Sequence, residues 1–279
     1  MQIVTGKIAL GVILENLKQN NKTIGFVPTM GALHEGHLSL MKICRANNDV
    51  AVASIFVNPT QFNDKNDLKN YPRMPEKDLA MLKSEGCDYV FMPEVDEMYP
   101  ESDTRIFEFG KLGEVMEGSH RPGHFNGVAQ IVSKLFDVVM PHNAYFGDKD
   151  FQQLAIIKQL VLKLNFPINI VPCPIIREPD GLAMSSRNLL LGENERKNAP
   201  LIHKTLTIAK AMSNQYSIVD LKKWVVSQIN SNLYLKVEYF EIVDDIYLQP
   251  MADWSSDTEK VGCIAVKAGN IRLIDNIRF

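Results

Sequence analysis

Over its first 175 residues the chain alternates short apolar runs with longer stretches in which apolar residues recur every three or four positions. The first pattern is that of a strand, the second that of an amphipathic helix. Strands are predicted at residues 24–27, 50–57, 89–93, 144–147 and 168–171. The run at 50–57, VAVASIFV, is almost continuously apolar, as in a parallel strand covered on both faces. Helices are predicted at 38–47, with Leu40, Ile43 and Cys44 on one side, and at 76–85, closed by Gly86. Two more follow at 126–140, with Val128, Ile131, Val132, Leu135, Phe136 and Val139 inward, and at 150–164, with Leu154, Ile157, Val161 and Leu164 inward. This order predicts an α/β domain over residues 1–175, built on a doubly wound, Rossmann-like parallel sheet.

After residue 175 the pattern changes. IIREPDGLAMSSRN is rich in turn formers around Pro179-Asp180-Gly181. Helical stretches at 193–212 and 218–231 follow, then VEYFEIVD and, after it, two strands joined at Gly269-Asn270, a hairpin signal. These predict a smaller α+β domain over residues 176–279. The sequence shows neither internal repeats nor low-complexity segments.

Composition narrows the class. A chain of 279 residues, 46% hydrophobic and 23% charged, has the make-up of a soluble globular protein with a sizeable core. A net charge of −3 speaks against a general nucleic-acid binder or a ligand of anionic membranes, while leaving room for a local basic pocket. Cys44, Cys87, Cys173 and Cys263 form no CxxC pair and read as buried free thiols of a reducing compartment. No apolar run approaches the roughly 18 residues of a membrane span, and the start lacks the pattern of a signal peptide. A cytoplasmic protein is expected.

Ligands of doubly wound sheets bind beyond the carboxyl ends of the strands, and three motifs fall there. PTMGALHEGH (28–37) sets His34 and His37 among glycines between a strand and a helix. Three readings are open: a metal pair on one helix face, capping or packing histidines, or a phosphate site. A phosphate would meet the unpaired amides and positive dipole end of a helix, with imidazole N–H groups as further donors. The absence of a nearby third ligand, and glycines that permit close backbone approach, favour the phosphate. In GDKD (147–150) Lys149 can neutralise a phosphate, and Asp150 is either a magnesium ligand or a helix cap. NPTQF (58–62) is either a site edge, with the amides of Asn58 and Gln61 able to donate to a carboxylate and accept from a hydroxyl, or a turn with a helix cap. Farther on, MSSRN (184–188) is either a triphosphate wrap, through Ser185, Ser186 and Arg187, or a polar turn. EGSHRPGHFNGV (117–128) is a site wall carrying Arg121 or a solvated loop. No Ser–His–Asp or Cys–His pattern calls for a protein nucleophile.

Taken in order, VPTMGALHEGH, SIFVNPTQF, YPR, EGSHRPGHFNGV, FGDKDFQQL and DGLAMSSRN resemble the pantothenate synthetase family, the pantoate–β-alanine ligases of the nucleotidyltransferase superfamily. The resemblance spans essentially the whole chain and is most specific over residues 26–190. It implies an AMP-forming ligase in which pantoate and ATP give pantoyl adenylate and pyrophosphate. The amine of β-alanine then displaces AMP to give pantothenate. It further implies that Met30, Gly31, Ala32, Leu33, His34, Glu35, Gly36 and His37 line ATP, with both histidines at the phosphates and His37 as proton donor. Gly147, Asp148, Lys149 and Asp150 match nucleotide-binding positions, as do Met184, Ser185, Ser186 and Arg187. The backbone of Ile176 matches an adenine contact. Gln61 and Gln153 match the glutamines that hold pantoate, and Gln61 also borders the β-alanine path. Magnesium accompanies the ATP phosphates, with Asp150 as its protein partner, and Lys149 offsets charge during catalysis. Expected partners are ATP, pantoate and β-alanine in a homodimer, without nucleic acid or membrane, the second domain closing over ATP. A cytidylyltransferase, a fragment of an aminoacyl-tRNA synthetase or a nucleotide sensor would share the Gly/His turn. The glutamine pair suits a small hydroxy acid better than the phosphorylated alcohol of a cytidylyltransferase, and a sensor would be expected to lose it. The acidic balance and the lack of a long tRNA-binding extension speak against the synthetase.

Overall fold

The computed structural model describes residues 1–62 and 65–279. In chain order the elements are β1 (Gln2–Val4), α1 (Lys7–Gln19), β2 (Ile24–Thr29), α2 (Glu35–Asn47), β3 (Val50–Ile55), α3 (Lys65–Asn70), α4 (Pro75–Ser84) and β4 (Tyr89–Phe91). There follow α5 (Val95–Met98), α6 (Glu117–His120), α7 (His124–Val139), β5 (Asn143–Gly147), α8 (Phe151–Lys163) and β6 (Asn169–Cys173). The remainder is α9 (Glu193–Asn198), α10 (Leu201–Met212), α11 (Ile218–Asn230), β7 (Leu235–Asp244), β8 (Lys260–Ala268) and β9 (Ile271–Arg278).

The first six strands form one parallel sheet in the order β1-β4-β3-β2-β5-β6. Successive residues of each strand face opposite ways. Ile24 and Phe26, with Val50 and Val52, pack under Leu10 and Leu14 of α1 and the apolar stripes of α7 and α8. Val27, with Ala51 and Ala53, packs under Leu40 and Met41 of α2 and Leu82 of α4. Both faces are thus dry, which explains the continuous apolar run in β3. At Gly25, α2 lies so close that a β-carbon would stand 2.5 Å from the Cys44 sulfur. All four cysteines are free and buried.

From β2 the chain moves to one side through β3 and β4, then returns to the other side with β5. The crevice where these paths diverge is the ligand-binding position of such sheets. β2 runs into PTMGALHEGH and β5 into GDKD, so both motifs meet there.

The last three strands form an antiparallel sheet in the order β7-β8-β9, turned at Gly269 (φ +59°) as the hairpin signal predicts. One face packs on Ile202 and Leu206 of α10 and Leu221 and Val225 of α11. On the other face, Val243, Val261 and Cys263 meet Phe125, Phe151 and Ile156 from α7 and α8. Some elements depart from expectation. β1 and α1 precede the first predicted strand; β1 is too short for its alternation to register. The stretch predicted as one helix over 193–212 divides into α9 and α10 beside Pro200, whose ring cannot continue the hydrogen-bond ladder. Among the described residues no helix is long and apolar enough to cross a membrane.

Candidate active site

The loop after β2 is a built structure. The Thr29 hydroxyl donates to Ser54 O (2.7 Å) and accepts from the Gly31 amide (3.2 Å). Gly31 and Ala32 then take left-handed backbone angles, φ +79° and +50°. Asp78 of α4, 1% exposed, accepts the amides of Ala32 (2.9 Å) and Leu33 (2.7 Å). A buried carboxylate from a distant helix therefore clasps the loop. His34 follows in extended conformation and caps α2, its Nδ1 accepting the Gly36 amide at 3.1 Å. The proton of neutral His34 is consequently on Nε2.

This corrects the metal-pair reading: His34 stands before the helix, and its Nδ1 is already committed to backbone. The His37 ring lies 4.1 Å from that of His34, and its buried Nδ1 meets no hydrogen-bond partner among the described residues. Burial, and next the Lys149 ammonium, pull His34 down to about 4. Burial, with His34 and Lys149, holds His37 well below the ordinary imidazole range. Both rings are neutral at pH 7.

GDKD leaves β5 as a 3₁₀ turn, Asp148–Asp150, that leads into α8. The Lys149 Nζ is 3.7 Å from the Asp150 carboxylate. Asn276 of β9 fixes this turn by donating to Asp148 O (2.8 Å) and Lys149 O (3.1 Å). MSSRN ends a tight reversal at Gly181 (φ +94°), in which the Met184 amide donates to Ile176 O at 3.0 Å. Ile176 and Met184 are thereby neighbours. Ser185 Oγ accepts the Arg187 amide (3.3 Å), and Ser186 Oγ meets Tyr71 OH at 3.2 Å.

Gln61 sits on a 3₁₀ turn, Pro59–Gln61, with its Nε2 3.0 Å from the Met30 sulfur. The buried Asn58 amide donates to Gln61 Oε1 and to Gly127 O, each at 3.1 Å. Tyr99 OH donates to Asn58 Oδ1 at 2.8 Å. Gly127 is required at this crossing, since a β-carbon would stand 2.3 Å from Thr60 O.

These segments enclose joined cavities. One is walled by His34, Gly36, His37, Gly147, Lys149, Ile176, Met184, Ser185, Ser186 and Arg187. Its neighbour is lined by Phe56, Val128, Ile131, Val132 and Leu135, with Asn58 and Gln61 as polar points. Met30, His37, Tyr71, Phe146, Asp150 and Gln153 border both. A groove bearing Arg121, Lys149, Arg187 and Arg272 leads outward. Gly31, Ala32, Leu33, Glu35 and Asp148 do not line these cavities: the first three shape the loop from behind, Glu35 is exposed, and the Asp148 carboxylate lies 3.6 Å from Arg278. Asp78, Tyr71, Arg272 and Asn276 are contributors that sequence motifs did not single out. YPR flags Tyr71 only by resemblance, and the others act across long separations.

A switch-point crevice with imidazoles and cations on one side, and amides among aliphatic side chains on the other, defines a nucleotide-dependent α/β enzyme. The model of the pantoate-beta-alanine ligase family matches residues 2–278. The chain is 53% identical over 279 residues to the pantothenate synthetase of Porphyromonas gingivalis, covering 100% of this chain and 99% of that protein. The crystal structure of the Thermus thermophilus pantothenate synthetase superposes with a TM-score of 0.92 at 40% identity, over 99% of each chain. The Francisella tularensis pantoate-beta-alanine ligase, solved with beta-gamma ATP and beta-alanine, gives 0.83 at 36% identity, over 100% of this chain and 97% of that one. The chain belongs to the pantoate–β-alanine ligase family and is a ligase that joins pantoate to β-alanine using ATP.

Proposed function

We propose that the two joined cavities divide the chemistry, ATP lying against His34, His37, Lys149 and Met184–Arg187 and pantoate in the aliphatic pocket. Their shared border carries the reading: Met30, His37 and Gln153 wall both cavities, which is where an acid's carboxylate would meet an α-phosphorus. Pantoate is a carboxylate with two hydroxyls on a branched apolar body. The amides of Gln61 and Gln153 pair the polar groups, while Val128, Ile131, Val132 and Leu135 enclose the methyls.

A pantoate carboxylate oxygen attacks the α-phosphorus and pyrophosphate leaves. Two anions approach each other in this step, so fixed positive potential is the main requirement. Lys149, the N-terminus of α2 and the histidine N–H groups supply it. In the free protein His37 acts as a neutral donor; the charge of a bound triphosphate raises its proton affinity and makes proton donation to the leaving pyrophosphate available. Next, the β-alanine amine attacks the acyl carbon, the acyl C–O bond breaks so that AMP departs with the bridging oxygen, and the nitrogen gives its extra proton to water. No protein nucleophile takes part, and orientation supplies much of the remaining rate.

Magnesium fits this border, because Asp150 brings a half-exposed carboxylate of the kind the ion takes, directly or through water. When bound, the ion neutralises phosphate charge. The proposal includes residues 1–175 as the body and 176–279 as a domain that closes over ATP through Met184–Arg187. It also includes a homodimer in the cytoplasm, to be checked by sedimentation velocity and cell fractionation.

With ATP and pantoate alone, the protein should release pyrophosphate and hold a pantoyl adenylate detectable by mass spectrometry. Adding β-alanine should yield AMP equal to the pyrophosphate. Formation of ADP and phosphate would overturn the adenylation scheme.

A further inference from the structure

Gln61 is held by its backbone as well as its side chain. Its carbonyl oxygen lies 2.9 Å from Nδ1 of His124, at the start of α7. The other ring nitrogen, Nε2, is 3.0 Å from Arg121 Nη1. A guanidinium only donates. Nε2 therefore accepts, and the single proton of the neutral ring is on Nδ1, aimed at Gln61 O. His124 is 6% exposed, and burial with the Arg121 charge brings it down to about 4, so the ring holds that single proton at pH 7.

Arg121 is placed in turn by Glu117, 3.5 Å away. The Glu117 carboxylate accepts from Nη1 and Nη2 of Arg272, each at 2.7 Å, and from the Tyr239 hydroxyl at 2.7 Å. Arg272 belongs to β9 and Tyr239 to β7. A chain of contacts thus runs from the antiparallel sheet through Arg272, Glu117, Arg121 and His124 to the turn that presents Gln61. The turn has little slack, because α7 touches it at Gly127.

We propose that His124 is a positioning residue for the acid substrate: Arg121 imposes its tautomer, His124 fixes the Gln61 turn, and docking of the antiparallel sheet through Arg272 and Glu117 is transmitted to pantoate binding. This rests on the assignment of Gln61 to pantoate. The chain touches the backbone of Gln61 and leaves its amide side chain to the ligand, Asn58 and Met30. Its effect should therefore appear in pantoate affinity and spare ATP.

Calorimetric titration of the whole protein tests this, with pantoate alone and with a non-hydrolysable ATP analogue alone. His124→Phe fills the space of the ring without a donor. His124→Asn keeps an N–H near the position of Nδ1. The phenylalanine variant should bind pantoate about tenfold more weakly, the scale of one lost hydrogen bond at a buried acceptor, with ATP-analogue affinity unchanged. The asparagine variant should recover most of that loss. Arg272→Gln should weaken pantoate binding severalfold in the native background and hardly at all on top of His124→Phe. If Gln61→Ala binds pantoate normally, the assignment of the pocket fails. If Gln61→Ala is impaired while His124→Phe binds pantoate like the native protein, the positioning role fails. Equal loss of both ligands in His124→Phe, or an asparagine variant no better than phenylalanine, also overturns it. Additive effects of Arg272→Gln and His124→Phe would refute the transmission from the antiparallel sheet.

Discussion

Replacing Asp78 with asparagine sets two physical effects against each other. The carboxylate lies behind the Gly31–Leu33 loop and accepts two amides, at 2.9 Å and 2.7 Å. Taken as a charge alone it opposes a triphosphate in front of the loop, so its removal would tighten ATP binding. Taken as a clasp it holds the loop that delivers His34 and the start of α2, so its removal would weaken ATP binding. The distances decide for the clasp. Asparagine retains one acceptor oxygen and turns an NH2 group toward the other amide. A hydrogen bond to a charged acceptor contributes about 1.5–3 kcal/mol, and an orphaned buried amide adds a similar penalty. Ala32 is held at φ +50°, a conformation that costs an L-residue roughly 1–2 kcal/mol and persists only while its surroundings enforce it. We expect Asp78→Asn to lose about 2–4 kcal/mol of unfolding free energy. Its KM for ATP should rise about tenfold or more while that for pantoate hardly moves. Pyrophosphate release at varied ATP, together with denaturant melts, measures both. Unchanged or tighter ATP binding in a folded variant would refute the clasp.

Lys149→Ala should slow pyrophosphate release by about a hundredfold or more, the typical effect of one lost preorganised charge contact; a normal burst would contradict its role. Gln153→Ala should impair pantoate binding and spare ATP, and His34→Ala should do the reverse, as titration of each variant with each ligand will tell. His34, His37 and His124 all lie below the ordinary value of 6.5 in the folded protein, with burial the first cause in each. Unfolding therefore takes up protons, and stability should fall as pH drops from about 6.5 toward 4, by up to about 1.4 kcal/mol per pH unit for each ring. Glu117 joins in only below its ordinary 4.5: burial opposes its ionisation, but Arg272 and Tyr239 outweigh that and hold it at about 2. Urea melts at pH 7 and pH 5 with equal midpoints would contradict the assignment of neutral histidines.

The parts of the site that were legible in the sequence are those whose chemistry is local. In PTMGALHEGH an apolar strand, glycines and histidines stand together, and GDKD repeats that logic after β5. The clasp and the positioning chain were not legible. Asp78 alone is an acid in the first turn of a helix, and its partner amides are 45 and 46 positions away. His124 alone is one polar residue in a loop-like stretch, and its acceptor lies 63 positions back. The sheet class follows from the alternation of elements. The strand order does not, because only the pairing of Gly25 with Asn143 and Phe26 with Ala144 reveals that β5 returns beside β2. In the last third, Arg272 and Asn276 alternate with core residues along a strand and carry no motif around them.

Asn276 comes 128 positions after Asp148, yet it is the side chain that fastens the backbone of Asp148 and Lys149. A ribosome therefore delivers the parallel sheet, its crevice and the lysine long before it delivers their fastening. Until β9 docks, those two carbonyls lack the partner they have in the folded protein. The turn that carries Lys149 thus reaches its finished hydrogen bonding only with the closing of the β8–β9 hairpin, and not when β5 itself is made.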